Sequence, residues 1–560
     1  MVDPKKDEKK GKDLKKKLEK WMNNCEKVGN VYNVRGSYYG MDNVPITIIK
    51  GKEIPNWSYV FVKHWKTSNP VIFQVINVHF DQPGAEYQDA SISMGTPIKD
   101  PSMRKYKCRG LLVGEIEENG DIIPPLYPIE PEADVYLCPD DMVEFITQPQ
   151  EDWCIRIGEI PELGIPVKVY LEPLVRQGLL ITGAQGTGKT TALITLITRA
   201  ALADPPLRFL ILDWTGEFKA IKKALYKELI KRHKEEIEEG RVDIDEIQEK
   251  VKNFVEVIDW WKIYCGLFTI EDMRIYCEKF LIDVVNSVTK QDSVRNCLAR
   301  AIKAAQHLTK DDIKIEVNSQ EKTYPTTKMQ AELLVDVDMK DIIPSEEEFE
   351  KWSKAGIRMD DVINAIRGRR VVIIDFSSKP EDFEISEDVE VKAKIANVIA
   401  REIWEIGSRD PDFGCVIVID EAHRVCPESG YMDPIWQRLA SEGGRNKIPL
   451  WIVARRLSLV SKKVTTELQQ NFLCFNVEDI DRKRVEEDLG KSFADIAPFG
   501  TIPPLHCVIK SNGFRIPGQI IFTRVDVIER PAGVPLSKEV FERMEERAKK
   551  QYYSMRVAAG

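Results

Sequence analysis

No stretch of the 560-residue chain approaches the roughly 18 consecutive apolar residues that a membrane span needs, and no signal-peptide pattern opens it. A cytoplasmic protein with no membrane partner is therefore expected. Paired cysteines are missing too. Eleven cysteines are scattered singly from Cys25 to Cys507, with no CxxC pair and no histidine at zinc-finger spacing. Several, such as Cys415 and Cys474, fall inside apolar runs, where a thiol acts as a small hydrophobe, so buried structural thiols are expected rather than a metal site. Excess positive charge is also lacking: 81 Lys and Arg against 90 Asp and Glu leave a net charge of −9. That excludes a surface basic all over, but not one whose cations are confined to a channel. The one dense basic run, Lys5 to Lys20, reads as a solvated, frayed tail, with a phosphate-touching arm as the alternative.

What is present is a chain too long for one core, with 43% hydrophobic and 31% charged residues, as in globular proteins of two to four domains. No sequence repeat of fixed period is found. After the Lys-rich residues 1–29, residues 30–154 hold short β-branched and aromatic runs such as "NVPITIIKG", "WSYVFVKHW" and "VIFQVINVHF". Asn119-Gly120 between apolar flanks marks a hairpin. Short strands at close spacing predict a small β-barrel or sandwich.

Residues 155–217 change texture, with apolar strand, Gly-rich loop and helix in order, then a second buried strand ending at Asp213. Residues 218–368 are charged and read as a helical insertion, with Leu281, Val284, Val285 and Val288 at helical spacing. Within it, "IKIEVNSQEKTYPTTK" is expected to be a loop or small hairpin. Strands and helices alternate again over 369–530, and residues 531–560 are expected to form a C-terminal helical extension. The fold class expected is α/β: a P-loop motor with a mainly parallel sheet, a helical insertion and an N-terminal β-barrel.

Gly183, Ala184, Gln185, Gly186, Thr187, Gly188, Lys189 and Thr190 fit G-x-x-x-x-G-K-[ST] at every fixed position, with Thr191 next in the helix. Glycines let backbone N–H groups converge on phosphates, Lys189 can reach the β- and γ-phosphates, and the Thr190 hydroxyl can hold Mg²⁺. ATP with Mg²⁺ is the expected cofactor pair. Farther on, Val416 to Ile419 run into Asp420, Glu421, Ala422 and His423, a buried strand delivering two carboxylates. Asp420 is expected to hold Mg²⁺ and Glu421 to deprotonate the attacking water. His423 is read as a scaffold residue.

Those four letters spell a DEAH box, but the surroundings do not fit a DEAH-box helicase. Lys189 and Asp420 stand 231 residues apart, and neither an S-A-T box nor a Q-x-x-G-R-x-x-R pattern follows. One motor domain per chain implies that part of each ATP site comes from a neighbouring subunit.

"GIPVKVYLEPLVRQGLLITGAQGTGKT", "LILDWTGEF", "VIVIDEAHRV", "LASEGGRNKIPLWIVARR" and "TIPPLHCVIKSNGFRIPGQIIF" together resemble the archaeal HerA family of hexameric DNA translocases, in the HerA/FtsK group of P-loop ATPases. The resemblance covers most of the chain. It implies an N-terminal barrel, a RecA-like motor and a C-terminal extension that braces the next subunit. It also implies a hexameric ring pumping double-stranded DNA, with a NurA-like nuclease as partner in end resection during break repair. By the same resemblance, Asp213 and Glu217 match a D-x-x-G-E motif, placing Asp213 near Mg²⁺ or the water, with a mere polar strand end as the alternative. Arg445 in "EGGRNK" matches the family's essential arginine; otherwise it is a helix-terminal cation. Arg176 is a weaker candidate for reaching across a subunit interface.

Two departures stand out. Ala454-Arg455-Arg456-Leu457-Ser458 replaces the family's S-Q-R-P-S, so Arg455 stands where a phosphate-sensing glutamine belongs, and Trp214-Thr215 replaces Pro-His. Arg455, Arg456, Lys462 and Lys463 are the candidate DNA-gripping cations. A packaging or conjugative motor, or a nucleotide-gated scaffold, are the competing functions.

Overall fold

The computed structural model describes residues 4–23, 25–32, 43–49, 51–81, 105–380, 385, 388–489 and 501–531. The described residues fall into two compact units: those up to Tyr170 together with those of Cys474–Val525, and those of Leu171–Leu473 together with those from Asp526 on.

In the first unit, the strands β1 (Lys27–Val31), β2 (Asn43–Ile48), β3 (Tyr59–Lys63), β4 (Pro70–Asp81), β5 (Lys105–Ile116), β6 (Ile122–Ile123) and β7 (Asp134–Leu137) form one antiparallel sheet. The order β2-β1-β7-β3-β4-β5 closes through β2–β5 pairing. Closure removes free edges. The expected β-barrel is therefore present as six closed strands, with Val44, Ile46, Val60, Val62, Val71, Phe73 and Val75 filling it. Asn119 turns β5 into β6, its Oδ1 accepting from Asp121 N at 2.9 Å, while Gly120 takes φ +94°.

The Lys-rich start is not a frayed tail. Pro4–Asn23 is a helix whose Leu18 and Trp21 are buried, the Trp21 ring lying 5.6 Å from Phe145. The periodicity was hidden by the surrounding lysines, whose stems can cover apolar surface while their heads stay wet.

Strands β8 (Cys154–Glu159) and β9 (Pro166–Tyr170) also belong to this unit. They join β17 (His506–Ser511) and β18 (Gln519–Val525) in the antiparallel order β17-β18-β8-β9. Residues 155–170 and 506–525, expected to belong to the motor core, fall in the same compact unit as the barrel.

The second unit carries β10 (Leu179–Thr182), β11 (Phe209–Asp213), β12 (Val255–Asp259), β13 (Val371–Asp375), β14 (Val416–Ile419), β15 (Leu450–Ala454) and β16 (Asn471–Cys474) in the order β12-β13-β11-β14-β15-β10-β16. From β12 to β10 every pairing is parallel. Each of β10, β11, β13, β14 and β15 is buried along its whole length, as a parallel sheet covered on both faces requires. All parallel strands deliver their C-terminal ends to one rim, where α/β sheets bind ligands.

Residues 218–368 are mostly helical but not a pure insertion, because β12 within them forms the sheet's edge beside β13. Beyond it, Tyr264 packs among Trp260, Phe268, Phe280 and Trp352 at ring separations of 5.3–5.9 Å. Leu281, Val284 and Val285 are buried as expected of the helix Arg274–Val288. The expected loop after Lys310 is instead two helices, Lys310–Ser319 and Pro325–Val337, with Ile313 and Val317 buried one turn apart. The expected extension over 531–560 lies, except for Pro531, outside the described residues.

All eleven cysteines are unpaired, nine of them buried. No helix of the described residues is long and apolar enough to cross a membrane.

Candidate active site

The loop after β10 is shaped by its glycines. Gly183, Gly186 and Gly188 hold φ of +154°, +75° and +109°, and a Cβ on Gly186 would project into open space where a phosphate would sit. Lys189, Thr190 and Thr191 begin the helix Lys189–Ala201, whose residues from Thr191 on are buried and anchor the loop. Lys189 Nζ and Thr187 Oγ1 both donate to Ala184 O, at 2.7 and 2.8 Å. Gln185 is exposed. Burial pushes the Lys189 ammonium down from its ordinary range, and the carboxylates of Asp420 and Glu421 oppose that shift.

Asp420 follows β14 beside this loop and is almost fully buried. Its carboxyl is pushed up to about 7, first by burial and then by the negative charges of Glu421, Asp213 and Glu217, against a hydrogen bond from Thr215. Thr215 Oγ1 lies 3.0 Å from Asp420 Oδ2 and 3.2 Å from Asp213 Oδ1, so its one proton can serve either carboxylate. Glu421 takes φ +51°, a left-handed conformation that costs a non-glycine residue on the order of 1–3 kcal/mol and clusters at functional sites. His423 Nδ1 stands 3.3 Å from Glu421 Oε2 without hydrogen-bond alignment. The imidazole is held below its ordinary range by burial, with Glu421 opposing.

Asp213, expected near Mg²⁺ or the water, spends its oxygens on the turn that follows it. Its Oδ1 accepts from Thr215 N and Gly216 N at 3.1 and 2.8 Å, and its Oδ2 from Phe218 N at 3.0 Å. It is a fully buried cap on the turn that follows β11, and it positions Thr215 and Glu217. Glu217, four residues on, is the acid that faces the loop. Burial raises its carboxyl, and the Thr190 hydroxyl holds it down. Thr215 and Glu217 are site residues beyond those expected from the sequence, and the spacing Asp213-x-Thr215-x-Glu217 is the signal that marks them.

Trp214, the other departure, packs away from the site. Its ring stacks on Phe376 at 4.5 Å and 12°, Phe376 stacks toward Trp260, and Arg424 lies 5.3 Å over Trp214. The ladder ties the turn after Glu421 to the helical region.

Arg445 is elsewhere. It is exposed and precedes β15, whereas the site lies where β15 ends. Its neighbour Gly444 presses on the chain before β10, where an added Cβ would stand 2.0 Å from Arg176 O. With about 3.3 Å of rise per residue, β15 alone puts about 13 Å between the two rims. Arg176, on the same far rim, is paired with Glu172 at 2.6 Å. Arg456, Lys462 and Lys463 are exposed.

Residues 155–403 match the family model described as the central domain of the helicase HerA. This region is a HerA-type P-loop ATPase domain. The resemblance read from the motifs is borne out there, with the HerA-type match ending before Asp420, Glu421 and Arg445. The chain is an ATPase and binds nucleotide. Solved structures similar to it include VirB4 of Thermoanaerobacter pseudethanolicus, 13% identical, covering 68% of this chain and 98% of that one with a TM-score of 0.44. The genome-packaging NTPase B204 of Sulfolobus turreted icosahedral virus 2, in complex with AMPPCP, is 9% identical over 62% of this chain and 97% of that one, with a TM-score of 0.28. ATPases 2 and 3 of EssC from Geobacillus thermodenitrificans are 12% identical over 73% and 50% of the two chains, with a TM-score of 0.27. Among curated proteins none matches.

Proposed function

We propose that this protein is an ATP-driven translocase of double-stranded DNA that works as a ring of six identical subunits. The observation that carries the ring is the placement of Arg445 on the rim opposite its own phosphate loop. Arg445, as the arginine that the HerA pattern brings to the γ-phosphate, would then act on the nucleotide of the next subunit.

In this reading the loop from Gly183 to Gly188 cradles the phosphates, and Lys189 leaves Ala184 O for the β- and γ-phosphates. Glu421 takes the proton of the attacking water, its left-handed backbone turning the side chain off the strand axis. Thr190 and Asp420 would hold Mg²⁺, whose bound charge would neutralise the phosphates. The fit rests on the donors, a hydroxyl and a carboxylate with Glu217 and Glu421 close by. These are hard oxygens, and the Asp420 carboxyl is pushed up to about 7 by burial first and then by the negative charges of Glu421, Asp213 and Glu217. DNA as the track is supported by the HerA-type domain, and its backbone grip is sequence-independent and weakened by salt. End resection in break repair with a NurA-like nuclease is the finer role.

Duplex DNA is expected to raise ATP turnover several-fold in a steady-state phosphate-release assay. Turnover that is slow and indifferent to DNA would remove the motor reading. Glu421→Gln should bind ATP as before while turnover falls by ~10²–10⁴. Unchanged turnover in that variant would take Glu421 out of the general-base role.

A further inference from the structure

Strand β15 lies between β10 and β14 and runs parallel to both. Ala454, its last residue, pairs with Thr182, and Thr182 Oγ1 donates to Ala454 O at 3.2 Å. On the other side Ile452 pairs with Ile419. One step further along each strand, the residues leaving the sheet are Gly183 of the phosphate loop, Arg455, and the Asp420–Glu421 pair. Arg455 is therefore flanked by the two halves of the nucleotide site.

Its charge is felt on both sides: Arg455 disfavours the protonated forms of Lys189 and of His423. Most arginines of this unit pair with a carboxylate. Arg199 pairs with Asp526, Arg369 with Glu256, and Arg401 with Asp283 and Asp433. Arg455 is exposed, and among the described residues no carboxylate pairs with it. A phosphate seated on the loop after Gly183 would meet the guanidinium at this rim.

We propose that Arg455 is a phosphate ligand supplied in cis, touching the terminal phosphate of the nucleotide bound by its own subunit. The inference rests on the ATPase reading of this site and adds the residue by which the subunit tells triphosphate from diphosphate. It gives each nucleotide two arginines of different origin, Arg455 from its own chain and Arg445 from the neighbour. It also moves Arg455 out of the set of candidate DNA-gripping cations.

The test uses the full-length oligomer and the displacement of a fluorescent ADP by ATPγS or by ADP. Arg455→Ala should weaken ATPγS by roughly tenfold or more, the range for a lost charge-assisted hydrogen bond, and leave ADP unchanged. Arg455→Lys should restore part of the preference, because the positive charge returns without the guanidinium fork. In mixed oligomers, Arg455→Ala and Glu421→Gln should not complement, since each spoils the half-site of its own chain. An unaltered ATPγS-to-ADP ratio in Arg455→Ala would overturn the inference, and a loss of duplex affinity in its place would return Arg455 to the DNA path. Recovery of turnover on mixing would overturn it equally. Wild-type protein that exchanges neither nucleotide would overturn the ATPase reading itself, so the two failures are told apart by the wild-type trace.

Discussion

Subunits carrying Arg445→Ala, mixed in equal amounts with subunits carrying Glu421→Gln, should regain ATP turnover that neither has alone. Arg445→Ala alone is expected to lose ~10³–10⁵ in turnover, the effect of removing an arginine from a developing γ-phosphate charge. Glu421→Gln alone is nearly inactive for the separate reason that no base takes the water's proton. In a mixed ring, roughly a quarter of the interfaces place the intact Glu421 of one chain against the intact Arg445 of the other, as cyclic head-to-tail contacts allow. The reasoning depends on β15: Arg445 precedes it and the phosphate loop lies at its far end. Phosphate release from the mixture no faster than the sum of its parts would show that Arg445 does not act across the interface.

The second large effect concerns Asp420. In EDTA, Asp420→Asn should raise the melting temperature by several degrees at pH 8 while abolishing Mg²⁺-dependent turnover. The carboxyl, pushed up to about 7 in the fold, binds its proton more tightly there than in the unfolded chain. Its contribution to stability is therefore greatest below about pH 4, falls as pH rises toward 7, and above that leaves a cost on the order of 4 kcal/mol. Asparagine is neutral in both states and escapes the cost. The gain should shrink as the pH is lowered from 8 to 5. A melting difference the same at both pH values would assign the effect to packing rather than to the charge.

How far the sequence reached depends on whether the deciding interaction was local. The phosphate loop was legible because strand, glycines, lysine and helix follow one another within a few residues, and the loop's geometry is set by those glycines. Asp420 and Glu421 were legible for the same reason, as the exit from an apolar strand. The barrel was readable as short alternating strands, although its closure through β2 and β5 was not. The helix after Lys310 was missed because "IKIEV" alternates like a strand, while burial of Ile313 and Val317 four residues apart decides for helix. Strand β12 was missed because five residues inside a charged helical stretch carry no signal of the neighbour they pair with. Asp213 shows what a motif leaves open: it marks the residue, while the backbone amides of its own turn, which bond to both oxygens, are set by the folded loop.

Trp214, which replaces the proline of the family pattern, stacks on Phe376, and that stack has a practical side. The indole carries the guanidinium of Arg424, from the turn after Glu421, against its face, and among the described residues its ring nitrogen has no hydrogen-bond partner. Emission from such an indole is quenched or released by small changes in stacking. The protein thus carries its own optical gauge of that turn, and stopped-flow fluorescence after mixing with ATP, compared between wild type and Trp214→Phe, would read its movement without any added label.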